Sequence, residues 1–188
     1  MSVQIRVDDR GVFEAFQALH NIPGAFPKAI ARAANRAATQ GRTKSSRIVR
    51  DAYTVKAKDV RPALRVYRAS ASETAATLHV SGGALSLSKF RYKPRRDTTG
   101  NRRRQVVAEM LTGSKRGVDK GFVYNGNIWA RTDRFTRSDG KTQNIRVVMG
   151  SSVPRMMENR HEEVETLIRE AFIQRLEHET NYILRRRG

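Results

Sequence analysis

Between residues 25 and 52, Phe26, Ile30, Ala33, Ala34, Ala37 and Ala38 recur at spacings of three and four, while Arg32, Arg36, Arg42, Lys44 and Arg47 take the other faces. That spacing is the period of an α-helix, and its small alanine stripe lets a sheet or a second helix come close. Gly41 lies inside the pattern at a cost of roughly 1 kcal/mol relative to alanine, which allows a bend. A second long helix closes the chain, with Val164, Leu167, Ile168, Ala171, Phe172 and Leu176 as its stripe and an end near Leu184. Ser152 reads as its N-cap and Pro154 as a first-turn residue whose missing N–H costs nothing. Glu158, Glu162, Glu163 and Glu165 come early and Arg185, Arg186 and Arg187 late, the order that suits a helix dipole. Dipole complementation accounts for that arginine triplet better than a partner-touching tail does.

Between these helices the texture turns to β. Segments 64–68, 74–80, 85–87, 106–110 and 145–149 are strand-like, separated by small and polar residues. Asn125-Gly126, flanked by Phe122-Val-Tyr124 and Asn127-Ile-Trp129, predicts a tight hairpin turn, because both turn residues tolerate positive φ. Phe122 and Trp129 read as hairpin core in preference to a base-stacking platform. Asp139-Gly140 suggests a second turn. Ahead of the first long helix, Val3, Ile5 and Val7 alternate as a short strand and Asp8 or Asp9 can cap a helix. Phe13, Phe16 and Leu19 mark that helix's apolar face, and Asn21-Ile-Pro-Gly24 ends it. Residues 54–62 read as a capped helical turn stopped by Pro62. The fold expected is α+β: a mostly antiparallel β-sheet bracketed by a long N-terminal-half helix and a long C-terminal helix. With no repeat or linker in view, residues 1–188 are expected to form one domain.

Charge narrows the function. Lys and Arg number 37 against 18 Asp and Glu, a formal +19. Such self-repulsion is tolerable where an anionic partner lies against it. Nucleic acid is the foremost partner, since cations that neutralise phosphates release counterions; an acidic neighbouring subunit is another, and a membrane surface a weaker one. The chain has no cysteine, which excludes disulfides, thiol catalysis and thiolate-bound zinc. No apolar run approaches the ~20 residues of a membrane span, and the first residues lack a signal-peptide pattern. The expected protein is soluble and made in a cytoplasm.

The sharpest local feature is residues 89–104. Lys89, Arg91, Lys93, Arg95, Arg96, Arg102, Arg103 and Arg104 face a single acid within the segment, Asp97, with Phe90 and Tyr92 interleaved. A basic loop projecting from a strand can reach phosphates without specifying bases. The same run could meet an acidic patch on another protein, or stand solvated.

Catalytic and metal patterns are weak. Glu158-Asn-Arg-His161 has Glu-x-x-His spacing, yet the second such pair and the further buried carboxylates of a di-iron site are missing, so it reads as a solvated helix face. His178-Glu179 meets the same objection, and His20 and His79 have no recognisable acid or nucleophile partner. Gly113-Ser-Lys-Arg-Gly117 lacks the Gly-Lys-Ser/Thr ending of a phosphate-binding loop, and Gly82-Gly83 precedes no helix. No enzyme activity, cofactor or metal is therefore expected.

Several stretches together resemble the minor tail protein Z family of lambda-like phages. They are Pro27-Lys-Ala-Ile-Ala-Arg-Ala-Ala-Asn-Arg-Ala-Ala-Thr39, Val55-Lys-Ala-Lys-Asp-Val-Arg61, Ala84-Leu-Ser-Leu-Ser-Lys-Phe-Arg-Tyr-Lys-Pro-Arg95, Gly121-Phe-Val-Tyr124 and Val148-Met-Gly-Ser-Ser-Val-Pro-Arg-Met-Met157. Lys93-Pro-Arg-Arg96 with the following arginine triplet is similar to the family's basic stretch. The resemblance runs from about Pro27 onward. It implies a virion tail protein added at the head-proximal end of a finished tail, readying it for head joining. Its partners would be other tail and neck proteins, and the host cytoplasm its place before assembly. It also implies a homo-oligomeric ring, as in small α+β tail-completion and tail-terminator proteins. Around a DNA conduit, residues 89–104 would touch phage DNA loosely and without sequence preference. The competing classes are a free, sequence-nonspecific nucleic-acid-binding protein and an enzyme of DNA metabolism.

Overall fold

The structure, a computed structural model, describes residues 2–4, 10–95, 105–132, 144–158 and 160–187. Strand β1 (Ser2–Gln4) precedes helices α1 (Arg10–Leu19), α2 (Ala25–Ala52) and α3 (Ala57–Val60), the last continued by a 3-10 turn, Arg61–Ala63. Strands β2 (Leu64–Tyr67), β3 (Thr77–Val80) and β4 (Ala84–Ser86) follow, then a 3-10 turn (Leu87–Lys89) and β5 (Arg91–Lys93). Next come β6 (Val106–Glu109), β7 (Lys115–Val118), β8 (Gly121–Tyr124), β9 (Asn127–Thr132), β10 (Asn144–Val147) and β11 (Met149–Ser152). Helices α4 (Val153–Glu158) and α5 (His161–Arg187) end the chain. The architecture is α+β, with two long helices and several small antiparallel sheets. The chain groups into two compact units: unit 1 holds residues 1–48, 61–81 and 157–188, and unit 2 holds 49–60 and 82–156.

Unit 1 is built on α2 and α5. Ala29, Ala33 and Ala37, four residues apart, are fully buried, with Ala25, Ala34 and Ala38 beside them. Phe26 and Ile30 are only half-buried, so the small residues set the inner face. The helix runs through Gly41, where a Cβ would lie 2.6 Å from Ile168 Cγ1. Gly41 therefore marks where α5 packs against α2. Along α5, Val164, Ile168, Ala171, Phe172 and Leu176 are buried, as their helical spacing predicts. On α1 the expected apolar face is corrected: Ala15 and Leu19 are buried, whereas Phe13 and Phe16 are exposed. Gly11, Ala15 and Leu19 share one stripe, and Gly11 comes close to Ile173 of α5, so small residues again take the inside. Phe16 instead meets Phe26 edge-on, with centroids 5.1 Å apart. The sheet of this unit has the order β1-β3-β2, pairing Leu64 with Val80 and Val66 with Leu78. Asn35 of α2 fastens the chain after β2: its amide donates to Ala69 O at 2.9 Å and accepts from Ala69 N–H at 2.8 Å.

Unit 2 holds the sheets β5-β6-β7, β10-β9-β8 and β11-β4. The Asn125-Gly126 turn forms as predicted, with φ of 47° and 71°, and pairs Tyr124 with Asn127. That pairing fixes the alternation. Val123 opposes Ile128 on the inner face, where both are fully buried. Phe122 opposes Trp129 on the other face, half-buried, so neither forms the hairpin core. The end of α2 is laced to the loop after β6: Thr54 N–H donates to Met110 O and Thr112 N–H to Ala52 O, each at 3.0 Å. The expected strand at 145–149 divides into β10 and β11, and Val148 between them donates to Ile128 O and accepts from Leu87 N–H. The expected single C-terminal helix likewise divides. Ser152 Oγ accepts from Arg155 N–H as an N-cap, but Arg160 N–H closes onto Met157 O at 2.9 Å, a tight turn that ends α4. The Asp8, Asp9 and Asp139-Gly140 expectations fall outside the described residues.

Candidate functional site

The first half of the basic segment lies on β5 and the turn before it. Strand alternation sorts its side chains: Phe90 and Tyr92 are buried, while Lys89, Arg91 and Lys93 are exposed. The interleaved aromatics thus anchor the strand and do not form a stacking surface. Arg91, Glu109 and Lys115 form one cross-strand row, and Lys93, Val107 and Gly117 the next on the same outer face.

Two of the cations are tied to carboxylates. Lys89 Nζ lies 3.3 Å from Asp59, and Arg91 Nη1 lies 3.4 Å from Glu109. Glu109 is nearly buried and also accepts the Gly113 N–H at 2.8 Å. The Gly113 amide above all, and then the Arg91 guanidinium and the Lys115 charge, hold its carboxyl below the ordinary range against the opposing pull of burial. Thr54 completes the junction. Its hydroxyl donates to Glu109 O and accepts the Arg91 N–H at 3.0 Å, joining the end of α2 to β5 and β6.

Lys93 and Arg95 stand apart. Among the described residues, neither has a carboxylate within ion-pair distance. Arg95 lies over the Tyr92 ring, 5.3 Å from its centroid. Among the described residues, these two cations and Lys115 across the sheet are the positive charges of this face that no carboxylate holds within ion-pair distance. Arg96, Arg102, Arg103 and Arg104 lie outside the described residues.

Counting charges along residues 89–104 missed the acids that matter, because Asp59 and Glu109 come from elsewhere in the chain. It also missed Lys115, which lies in the stretch 113–117 weighed as a phosphate loop. Gly113, at φ 84°, instead forms the turn before β7. The glycine and the two cations after it were the available signal. In the helix, His161 Nδ1 approaches Glu165 at 3.5 Å, one turn onward. No group of three His, Cys, Asp or Glu among the described residues could hold a metal ion, and no described helix is long and apolar enough to cross a membrane.

The family described as prophage minor tail protein Z matches residues 10–187, extending the likeness back beyond Pro27. No curated protein and no solved structure matches the chain.

Proposed function

Since the chain belongs to the prophage minor tail protein Z family, and so is a phage minor tail protein, we propose that it completes the tail at its head-proximal end and readies it for head joining. The match over residues 10–187 carries this reading. In it the protein is a virion component that waits in the host cytoplasm before assembly. It works as a homo-oligomeric ring against other tail and neck proteins, and it catalyses nothing. Lys93, Arg95 and Lys115 would offer loose, hydrated contacts to passing duplex DNA, which needs charge without base recognition. A free, sequence-nonspecific nucleic-acid-binding protein is the second reading, favoured by Lys93 and Arg95, which have no carboxylate partner among the described residues.

Electron microscopy of tails carrying a tagged chain tests the first reading. Density at the head-proximal end is expected; density elsewhere, or none, overturns it. Light scattering with and without purified tails separates the second, because a monomer that ignores tails yet binds duplex would favour a free binder. Incubation with DNA and divalent metals is expected to yield no cleavage. For the basic face, Lys93→Gln with Arg95→Gln is expected to flatten the dependence of log affinity on log salt by about 1.8, at ~0.9 per lost phosphate contact. Lys89→Gln, whose ammonium is already held by Asp59, is expected to leave the slope nearly unchanged.

A further inference from the structure

Unit 1 carries a second concentration of cations, far in sequence from β5. A groove of about 680 Å³ is lined by Arg32 and Arg36 of α2, Arg68 just after β2, and His178, Glu179 and Tyr182 of α5. Arg32 and Arg36 are one helical turn apart, so their guanidinium groups rise from the same face. The Asn35 clamp on Ala69 holds the neighbouring Arg68 against that face. Tyr182, which lines the groove, accepts a hydrogen bond from Arg186 Nη1 at 3.2 Å, one helical turn further along α5.

Among the described residues lining the groove, one carboxylate answers three arginines. Glu179 meets Arg32 at 3.5 Å, and its side chain is 19% exposed against 56% for Arg32. Arg36 and Arg68 have no ion-pair or hydrogen-bond partner among the described residues. On the outer face of α5, Arg169 pairs with Glu165 one turn away at 3.6 Å. Here arginines from separate elements converge on a concavity instead. A concave cluster in which cations outnumber acids focuses a positive field, and the planar guanidinium matches phosphate oxygens two at a time.

We propose that this groove is a phosphate-binding site, with Arg36 and Arg68 as its principal ligands, Arg32 positioned by Glu179, and Tyr182 holding Arg186 at the edge. The ligand is a run of phosphate groups, supplied either by a nucleic-acid backbone or by a free polyphosphate. The inference concerns unit 1 alone and stands apart from the β5 reading, so the two can fail separately.

The test uses the full chain and two probes: a fluorescently labelled duplex titrated at several salt concentrations, and inorganic pyrophosphate followed by thermal unfolding. Arg36→Gln with Arg68→Gln is expected to flatten the duplex salt slope by about 1.8, while Arg36→Lys with Arg68→Lys preserves it. Glu179→Gln, which frees Arg32, is expected to steepen the slope by about 0.9. If pyrophosphate raises the melting temperature of the wild type but not of the double Gln variant, and the duplex slope stays unchanged, the source is a free polyphosphate. A duplex slope and a pyrophosphate response that are both unchanged in the double Gln variant overturn the proposal and leave these arginines to an acidic protein surface or to solvent. Because Lys93→Gln with Arg95→Gln reports on β5 separately, loss of slope in one pair alone identifies which site binds.

Discussion

The two units bury their interiors in opposite ways. In unit 1 the α2 face relies on absence: Ala29, Ala33, Ala37 and Gly41 stay small so that larger side chains such as Ile168 can approach. Unit 2 relies on bulk and on ladders, with Phe90, Tyr92, Val123, Ile128 and Met156 filling the spaces beneath short strands. Their ion pairs differ as well. In unit 1 most pairs are neighbours one helical turn apart, as Arg10 with Glu14 and Arg169 with Glu165, and Arg32 with Glu179 is the exception that joins α2 to α5. In unit 2, Lys89 reaches Asp59 and Arg91 reaches Glu109, joining stretches distant along the chain. The lesson is that helical packing fails when atoms are added, and short-strand packing fails when they are removed.

That contrast breaks most readily at Ile128. Ile128→Ala empties a fully buried site and is expected to cost about 2–5 kcal/mol in urea unfolding. A cost well below that would show the hairpin collapsing to fill the void. The converse change, Gly41→Val, forces side-chain atoms into Ile168 and is expected to cost about 1–3 kcal/mol. If it stabilised the protein instead, α2 and α5 would not be in close approach, and helix propensity alone would be acting.

Acid sharpens the difference through Glu109. Its folded carboxyl is held below the ordinary value of 4.5, so it binds protons less readily folded than unfolded. The stability it contributes is present above the unfolded value and disappears as pH falls through the lower, folded one. Urea unfolding across that acid range is expected to be flatter for Glu109→Gln than for the wild type; parallel curves would remove Glu109 from the account. The smallest effect is expected at the exposed Arg10–Glu14 pair, where Glu14→Gln costs only about 0.3–0.5 kcal/mol. A loss several times larger would mean that such local pairs carry unit 1 after all.

The same division explains what could be read in advance. Helices α2 and α5 and the Asn125-Gly126 turn declare themselves through local spacing and local backbone preference. Strand β7 did not, since Lys115-Arg-Gly-Val118 has no alternation of its own and exists through its ladder with β6. Phe13 and Phe16 are large yet stay outside, because the close approach to α5 favours Gly11 and Ala15 on the inner stripe. In the basic segment, the alternation that buries Phe90 and Tyr92 was written in the sequence. The carboxylates that quench Lys89 and Arg91 were not, because folding alone brings Asp59 and Glu109 beside them.

The outer face of the β8–β9–β10 sheet leaves Tyr124 and Ile145 in water beside the half-covered Phe122 and Trp129. The Arg131 guanidinium lies over the Phe122 ring on this face, and separate copies carrying +19 each are expected to repel one another in dilute buffer. Added salt shortens the reach of that repulsion to about 10 Å at 0.1 M without weakening apolar attraction. If the basic faces hold phosphates as proposed, rising ionic strength is expected to push in two directions at once, loosening that grip while lowering the repulsion between copies.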